Sequence, residues 1–169
     1  MIKMKIINIK TIINGIKIYS NWFEVFNPTK KIIDAKLRNG IVLHSLDREE
    51  RGAMTEIFVK EIYNKYKRIN DNDIVIDIGA STGDYCIYAV KSAKNVKVFA
   101  LEQNIVKVNK ALGNFRLNNV SNVEIENVFA DSKKLEALVE KIGRCDFLKV
   151  DCEGCEFEIF FSLKREVFE

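Results

Sequence analysis

Three carboxylates and two cysteines lie within six residues of the segment LKVDCEGCEFEI, residues 148–159. The segment begins with an apolar run, so its acids, which include Asp151 and Glu153, are expected at the end of a strand. Carboxylates that are crowded together raise one another's pKa, and one of them can then act as a base near neutral pH. The C-x-x-C motif of Cys152 and Cys155 presents two other kinds of chemistry, a zinc site and a redox-active dithiol.

The two cysteine-based alternatives have little support in the rest of the sequence. A structural zinc site needs about four ligands, and no second C-x-x-C motif exists, since Cys86 and Cys145 are isolated. Neighbouring carboxylates, Glu156 among them, disfavour a thiolate. The chain has one histidine, too few for a multi-histidine metal site. We therefore predict reduced cysteines and no metal, and a divalent cation held by the acids is left as an alternative.

A second candidate site lies in DIVIDIGASTGDY, residues 73–85, where a predicted strand runs into a glycine-containing turn. Without Cβ atoms, Gly79 and Gly83 would let the backbone approach a ligand closely. The G-x-x-x-G spacing and the lack of a following lysine exclude a P-loop. Asp77 would repel a pyrophosphate, but it suits a ligand that carries an ammonium and a sulfonium, such as S-adenosylmethionine. A purely structural loop that Asp77 caps is the alternative.

Acids also follow the next two predicted strands. Glu102 ends the second strand, where a carboxylate can accept hydrogen bonds from both hydroxyls of a ribose. Asp131 follows the third strand, at a place where it could meet the amino group of an adenine. Ligands of open α/β sheets bind beyond the carboxyl ends of the strands, so these acids and Asp151 are predicted to share one site.

Short apolar or β-branched runs that alternate with helical segments predict the elements that position these residues. The runs cover residues 73–79, 96–102, 123–128 and 146–151. Strands that alternate with helices imply right-handed crossovers and a parallel sheet, so we predict an α/β fold for this part of the chain.

The front of the chain has a different pattern. Alternating residues between positions 3 and 19, with Asn14-Gly15 among them, predict a β-hairpin, and a second Asn-Gly at positions 39–40 precedes another apolar run. We predict an N-terminal antiparallel β extension over residues 1–50 and an α/β domain over residues 51–169, and we expect the two to form one compact unit.

The segments DIVIDIGASTGDYCIYAV, FALEQN and FLKVDCEGCEFEIF resemble the FkbM-type S-adenosylmethionine-dependent methyltransferases. That family has a D-x-G-A-x-x-G loop, an acid after its second strand and an L-K-x-D-x-E-G-x-E box after its fourth, and the resemblance covers about residues 51–163. It implies a Rossmann-like class I methyltransferase sandwich with strand order 3-2-1-4. It also implies a set of residues that bind S-adenosylmethionine, namely Asp77, Gly79, Ala80, Ser81, Gly83, Glu102, Gln103 and Asp131.

Two departures from the FkbM-type pattern affect these expectations. Gln103 stands where the family has proline, which changes the turn beside the ribose but leaves Glu102 in place. Only 18 residues follow Asp151, so we expect a truncated sheet. Its fourth strand would be an exposed edge that favours self-association, or it would be covered by a helix over residues 156–169. The family has small residues where the C-x-x-C cysteines stand, which implies a packing role for both.

We predict an S-adenosylmethionine-dependent methyltransferase that acts on a hydroxyl of a small molecule or sugar, with Asp151 or Glu153 as the base. The sequence lacks the N/D-P-P-aromatic box typical of amine methyltransferases, which favours an oxygen acceptor. One alternative is a non-catalytic remnant that binds the cofactor or a partner. The other is an RNA methyltransferase steered by residues 1–70, which hold 14 Lys and Arg against 7 Asp and Glu. Because these cations are scattered, nucleic acid is not the expected partner.

The sequence also bears on location. No apolar run has the length of a membrane span, and the first residues alternate lysine with isoleucine, unlike a signal peptide. We therefore expect a cytoplasmic protein that does not associate with a membrane.

Overall fold

The computed structural model describes residues 8–162. They divide into two compact units, the first ending at Lys65 and the second starting at Tyr66. Among the described residues, no helix is long and apolar enough to cross a membrane.

The first unit combines short helices with one antiparallel strand pair. Strands β1 (Ile33–Lys36) and β2 (Val42–Leu46) pair so that Lys36 lies opposite Val42. The Asn39-Gly40 dipeptide lies between them, with Gly40 at a φ of +92°. The predicted antiparallel element therefore exists, at this second Asn-Gly. The unit consists of α1 (Ile9–Ile18), α2 (Trp22–Val25), β1 (Ile33–Lys36), β2 (Val42–Leu46), α3 (Arg48–Phe58) and a 3-10 turn (Ile62–Asn64).

The hairpin predicted around Asn14-Gly15 is wrong, because these residues lie inside helix α1. Asn8 caps the helix by accepting a hydrogen bond from the Lys10 backbone N–H at 2.9 Å. Isoleucines at positions 9, 12, 13 and 16 have the i, i+3, i+4, i+7 spacing of a helix. Because lysines lie next to them, the sequence also shows the alternation of apolar and charged residues that is typical of a strand. Gly15 is buried at a point where a Cβ atom would overlap the Phe26 ring. Residues 3–7 of the predicted hairpin lie outside the described part of the chain.

The second unit is a parallel sheet with helices between its strands, as predicted. The strands are β3 (Ile74–Ile78), β4 (Lys97–Glu102), β5 (Val123–Asn127) and β6 (Phe147–Val150). Their order in the sheet is β5-β4-β3-β6, which matches the predicted order 3-2-1-4. The helices are α4 (Asp84–Ser92), α5 (Ile105–Leu117), α6 (Ser132–Ile142) and α7 (Glu156–Ser162).

Strand β3 lies between β4 and β6 in this sheet, and both of its faces are buried. Ile76 and Ile78 are fully buried in a core that includes Leu135 of α6 and Ile159 of α7. Within the described residues β6 pairs with β3 alone, and α7 begins shortly after it. The carboxyl end of β3 therefore lies between those of two parallel neighbours, and the candidate site is at this edge of the sheet.

Candidate active site

The carboxyl ends of β3, β4 and β6 meet at one edge of the sheet. The Gly79 N–H donates to the Leu101 carbonyl at 2.9 Å, and the Asp151 N–H donates to the Ile78 carbonyl at 3.0 Å. The backbone of Gly79 lies so close to β6 that a Cβ atom would overlap the carbonyl oxygen of Asp151. The structure thus brings together two predicted site residues that are far apart in the sequence.

The glycine loop between β3 and α4 needs its glycines for internal packing. Gly79 and Gly83 have φ values of +77° and +76°, and Ser81 between them has a φ of +49°. A Cβ atom on Gly83 would lie 2.5 Å from the Phe115 ring of α5. We predicted that the missing Cβ atoms leave space for a ligand, and this reason is wrong, because the protein itself fills both places. Gly79 and Ser81 are half-buried, whereas Ala80 is buried.

Glu102 at the end of β4 holds the glycine loop. One carboxylate oxygen accepts from the Ser81 N–H and the other from the Asn104 N–H, both at 2.8 Å. The side-chain amide of Asn127 donates to the carbonyls of Glu102 and Gln103 at 2.9 Å, which fixes the turn after the strand. A carboxylate oxygen has a second lone pair, so Glu102 can still accept from a ribose hydroxyl. Gln103 is exposed beside it.

Asp131 lies at the start of α6 and caps that helix. Its carboxylate accepts from the Lys134 N–H at 2.7 Å, and the residue is half-buried. The next residue, Ser132, donates from both its N–H and its hydroxyl to Glu158 of α7. The cap explains an acid at this position without a ligand, and the contact between Asp131 and an adenine stays a prediction.

Asp77 is fully buried, and both of its oxygens have protein partners. One lies 2.8 Å from the ammonium of Lys149, which is 5% exposed, and the other accepts from the Cys86 thiol at 3.2 Å. The predicted contact between Asp77 and the ammonium of a cofactor therefore does not match the structure, because the ammonium at this carboxylate is that of Lys149.

Lys149 is a site residue that the sequence analysis did not single out. It lies directly opposite Asp77 in the register of β3 and β6. Burial by itself lowers its pKa, but the carboxylates of Asp77, Asp151 and Asp84 raise it, and the net shift is upward. A lysine at an inward position of the apolar strand FLKV, together with an acid in the neighbouring strand, is the signal that could have found this pair.

Asp84 at the start of α4 is also buried near this lysine. Its Oδ1 atom accepts from the Tyr85 N–H at 2.9 Å. Burial raises the pKa of Asp84 to about 6, although the charge of Lys149 acts in the opposite direction. The ionisable groups below the glycine loop thus include the Lys149 ammonium and two buried acids, Asp77 and Asp84.

The turn after β6 presents the two predicted catalytic acids to solvent. Asp151 and Glu153 are exposed, and Glu153 has a φ of +55°. Glu156 closes the turn by accepting from the backbone N–H groups of Cys152 and Gly154, at 2.9 and 2.7 Å. Its own backbone N–H, followed by those of Cys152 and Gly154, lowers the pKa of Glu156. The predicted upward shift from crowding is thus wrong for Glu156.

Cys152 and Cys155 form a disulfide, so the prediction that they are reduced packing residues is wrong. The turn brings their Cα atoms to 5.6 Å, within the ordinary range for a disulfide. Cys86 and Cys145 are free thiols, and burial raises the pKa of both. Over residues 8–162 there is no group of three or more His, Cys, Asp or Glu side chains that could hold a metal ion.

A family comparison decides what kind of protein has this site. The FtsJ-like methyltransferase family matches residues 59–167, which is more than half of the sequence. The chain belongs to the FtsJ-like methyltransferase family. None of the curated proteins matches this sequence. The predicted membership of a methyltransferase family is confirmed, and the finer FkbM-type assignment stays a prediction.

Two solved structures are similar to part of this FtsJ-like methyltransferase. A precorrin-6y C5,15-methyltransferase from Geobacter metallireducens is 24% identical with a TM-score of 0.52, and the match covers 64% of this chain and 57% of that one. A precorrin 8W decarboxylase from Methanobacterium thermoautotrophicum is 24% identical with a TM-score of 0.44, covering 57% of this chain and 51% of that one. The chain thus spans little more than half the length of these proteins, and the first match shows that the Rossmann-like fold is shared.

S-adenosylmethionine, the cofactor predicted from the sequence, is the cofactor that we expect for a member of a methyltransferase family. The strand ends fit this cofactor in the chemistry of their groups, because Glu102 offers a carboxylate and Gln103 offers an amide. Thr82 in the glycine loop has a buried hydroxyl that makes no hydrogen bond within the described residues. The half-buried backbone of Gly79 and Ser81 borders the same edge of the sheet.

Proposed function

We propose that this FtsJ-like methyltransferase methylates a hydroxyl oxygen of a small molecule or sugar, because the sequence lacks the N/D-P-P-aromatic box typical of amine methyltransferases. The observation that supports it most is the position of Asp151. This acid is exposed, and its backbone carbonyl lies against Gly79 at the start of the glycine loop. A base for the acceptor is therefore held next to the loop that borders the proposed cofactor site.

The residues proposed to hold the cofactor lie along the ends of β3 and β4. When bound, S-adenosylmethionine supplies a methyl group on a positively charged sulfur, ready for in-line transfer to a nucleophile. Glu102 accepts hydrogen bonds from the ribose hydroxyls through its remaining lone pairs. Gln103 and Ser81 border the ribose, and Asp131 contacts the adenine amino group.

The proposed chemistry of the chain's own residues is positioning and proton removal. Asp151 or Glu153 accepts the proton of the acceptor hydroxyl, which makes its oxygen a better nucleophile. The Cys152–Cys155 disulfide and the two hydrogen bonds accepted by Glu156 limit the conformations of the turn that carries these acids. A restricted turn keeps the base oriented before the acceptor binds.

Two measurements test this proposal. Calorimetric titration of the protein with S-adenosylmethionine should show binding, and incubation with a metabolite pool should yield a product one methyl group heavier. Asp151→Asn should keep cofactor affinity and reduce turnover by about two to four powers of ten, because the base acts in the transition state. Glu140→Gln on the exposed surface of α6 is the matched control and should leave both unchanged.

The alternatives give different results in the same experiments. Cofactor binding without a methylated product would favour a non-catalytic remnant. Methylation of added RNA, together with salt-dependent RNA binding, would replace the small-molecule acceptor. An Asp151→Asn variant with full activity would contradict the role of Asp151 as the base. Failure to bind S-adenosylmethionine would contradict the proposal as a whole.

A further inference from the structure

The buried lysine of β6 connects three parts of the site. The Lys149 ammonium lies 2.8 Å from an Asp77 carboxylate oxygen and donates to the Gly79 carbonyl at 3.3 Å. It also lies 5.6 Å from the centre of the Tyr85 ring of α4, within range of a cation–π contact. One ammonium therefore contacts the central strand, the first residue of the glycine loop and the helix that follows the loop.

Stability alone does not account for such a group. Removing an ammonium and a carboxylate from water costs several kcal/mol for each ion, and their attraction in the interior often does no more than offset this penalty. Apolar side chains of similar size would serve a purely structural role equally well. Lys149 and Asp77 are both buried, so the desolvation penalty applies to this pair in full.

The contacts of Gly79 show that the Lys149–Asp77 pair can fix the backbone conformation of the glycine loop. Its N–H donates to the Leu101 carbonyl of β4, and its carbonyl accepts from the Lys149 ammonium on the opposite side. The peptide groups on both sides of this left-handed residue are therefore anchored to neighbouring strands. Asp77 holds the ammonium in place and is itself hydrogen-bonded to Cys86 of α4.

We infer that Lys149 is a positioning residue for the cofactor. Its ammonium, which Asp77 orients, holds the Gly79 carbonyl and thereby fixes the conformation of the glycine loop. Lys149 also lies two residues before Asp151, so the same group joins the loop to the strand that carries the proposed base. This inference rests on the proposed function, because it assumes that the glycine loop borders S-adenosylmethionine.

Two variants separate positioning from simple structural support. Lys149→Met keeps most of the length of the side chain but leaves Asp77 as a buried charge without the ammonium. It should unfold at lower urea concentration, and cofactor affinity should fall about tenfold or more, since hydrogen bonds to charged groups are the strong ones. The double variant Asp77→Asn with Lys149→Met has no buried charge at either position. It should regain much of the stability, but not the affinity, because the Gly79 carbonyl still lacks its donor.

The decisive comparison is between the double variant and the wild type. If cofactor affinity recovers together with stability, the pair is only structural and the inference is overturned. If Lys149→Met does not fold, the double variant supplies the affinity measurement. Lys141→Met on the exposed part of α6 is the matched control and should change neither quantity.

A second measurement needs no cofactor and keeps the inference separate from the proposed function. Hydrogen exchange of the Gly79 and Gly83 amides in the free protein should be faster in the double variant than in the wild type. Unchanged exchange would overturn the positioning role. If the wild type does not bind S-adenosylmethionine while the exchange rates still change, the proposed function fails and the effect of Lys149 on the loop stands.

Discussion

Replacement of Glu102 by alanine tests both what Glu102 does within the protein and what it is proposed to do for the cofactor. Glu102 is 7% exposed, and its carboxylate accepts from the N–H groups of Ser81 and Asn104 at 2.8 Å. Hydrogen bonds to a charged group contribute about 1.5–3 kcal/mol each. Asn104 is exposed, so water can replace one of the two bonds, and we expect a loss of about 2–3 kcal/mol in the free energy of unfolding.

The same substitution should weaken cofactor binding by a second, separate effect. A charged acceptor for the ribose hydroxyls contributes about 1.5–3 kcal/mol, which corresponds to an increase in Kd of about tenfold to over a hundredfold. Urea unfolding measures the first effect, and calorimetric titration with S-adenosylmethionine measures the second. Glu126→Ala removes a surface carboxylate, 55% exposed and paired with Lys134, and as the control it should cost about 1 kcal/mol at most.

The two measurements can refute the two roles independently. A variant that loses stability but keeps its Kd would show that Glu102 orders the loop without contacting the ribose. A variant that keeps its stability would show that the hydrogen bonds from Ser81 and Asn104 contribute little.

Two further predictions concern pH and oxidation state. Burial raises the pKa of Asp84 from its unfolded value of 3.8 to about 6, so the folded protein binds this proton more tightly. The stability that this proton contributes is fully present below pH 3.8 and is lost as the pH rises through about 6. Relative to Asp84→Asn, the free energy of unfolding of the wild type, measured with urea, should fall by about 3 kcal/mol at most over this range. If the free energy of unfolding of the two proteins depends on pH in the same way, the raised pKa is contradicted. The Cys152–Cys155 disulfide is tested by alkylating protein that was purified without reductant and then denatured. Mass spectrometry should show two labelled thiols, Cys86 and Cys145, and reduction before alkylation should raise the number to four. Four labelled thiols without reduction would rule out the bond.

The parallel sheet could be predicted from the sequence because its signals are local. Short runs rich in β-branched and other apolar residues, such as DIVIDI, favour strands, and their alternation with helical segments favours a parallel sheet. Acids and glycines directly after these runs mark the strand ends, and parallel strands bring those ends to one edge. The proximity of Gly79 and Asp151 follows from this rule. The resemblance to methyltransferases depended on the same local segments.

Sequence patterns gave wrong predictions where helix and strand periodicities overlapped, and where the outcome depended on a contact that the tertiary structure forms. The isoleucines of α1 fit a helix, but lysines between them imitate a strand, and burial of Gly15 against Phe26 decides in favour of the helix. The turn after β6 determines whether its two cysteines meet, since a C-x-x-C motif is compatible with free thiols as well as with a disulfide.

The partner of Asp77 is the clearest case that only the tertiary structure decided. As a residue in a sequence, this acid suits the ammonium of a ligand. Lys149 is 72 positions away, and the register of β3 against β6 places it directly opposite, where its ammonium takes that place. Sequence patterns describe which face of a strand a side chain occupies, because that depends on neighbours along the chain. Which charge lies across from it depends on strand order and register, and these are properties of the packed sheet.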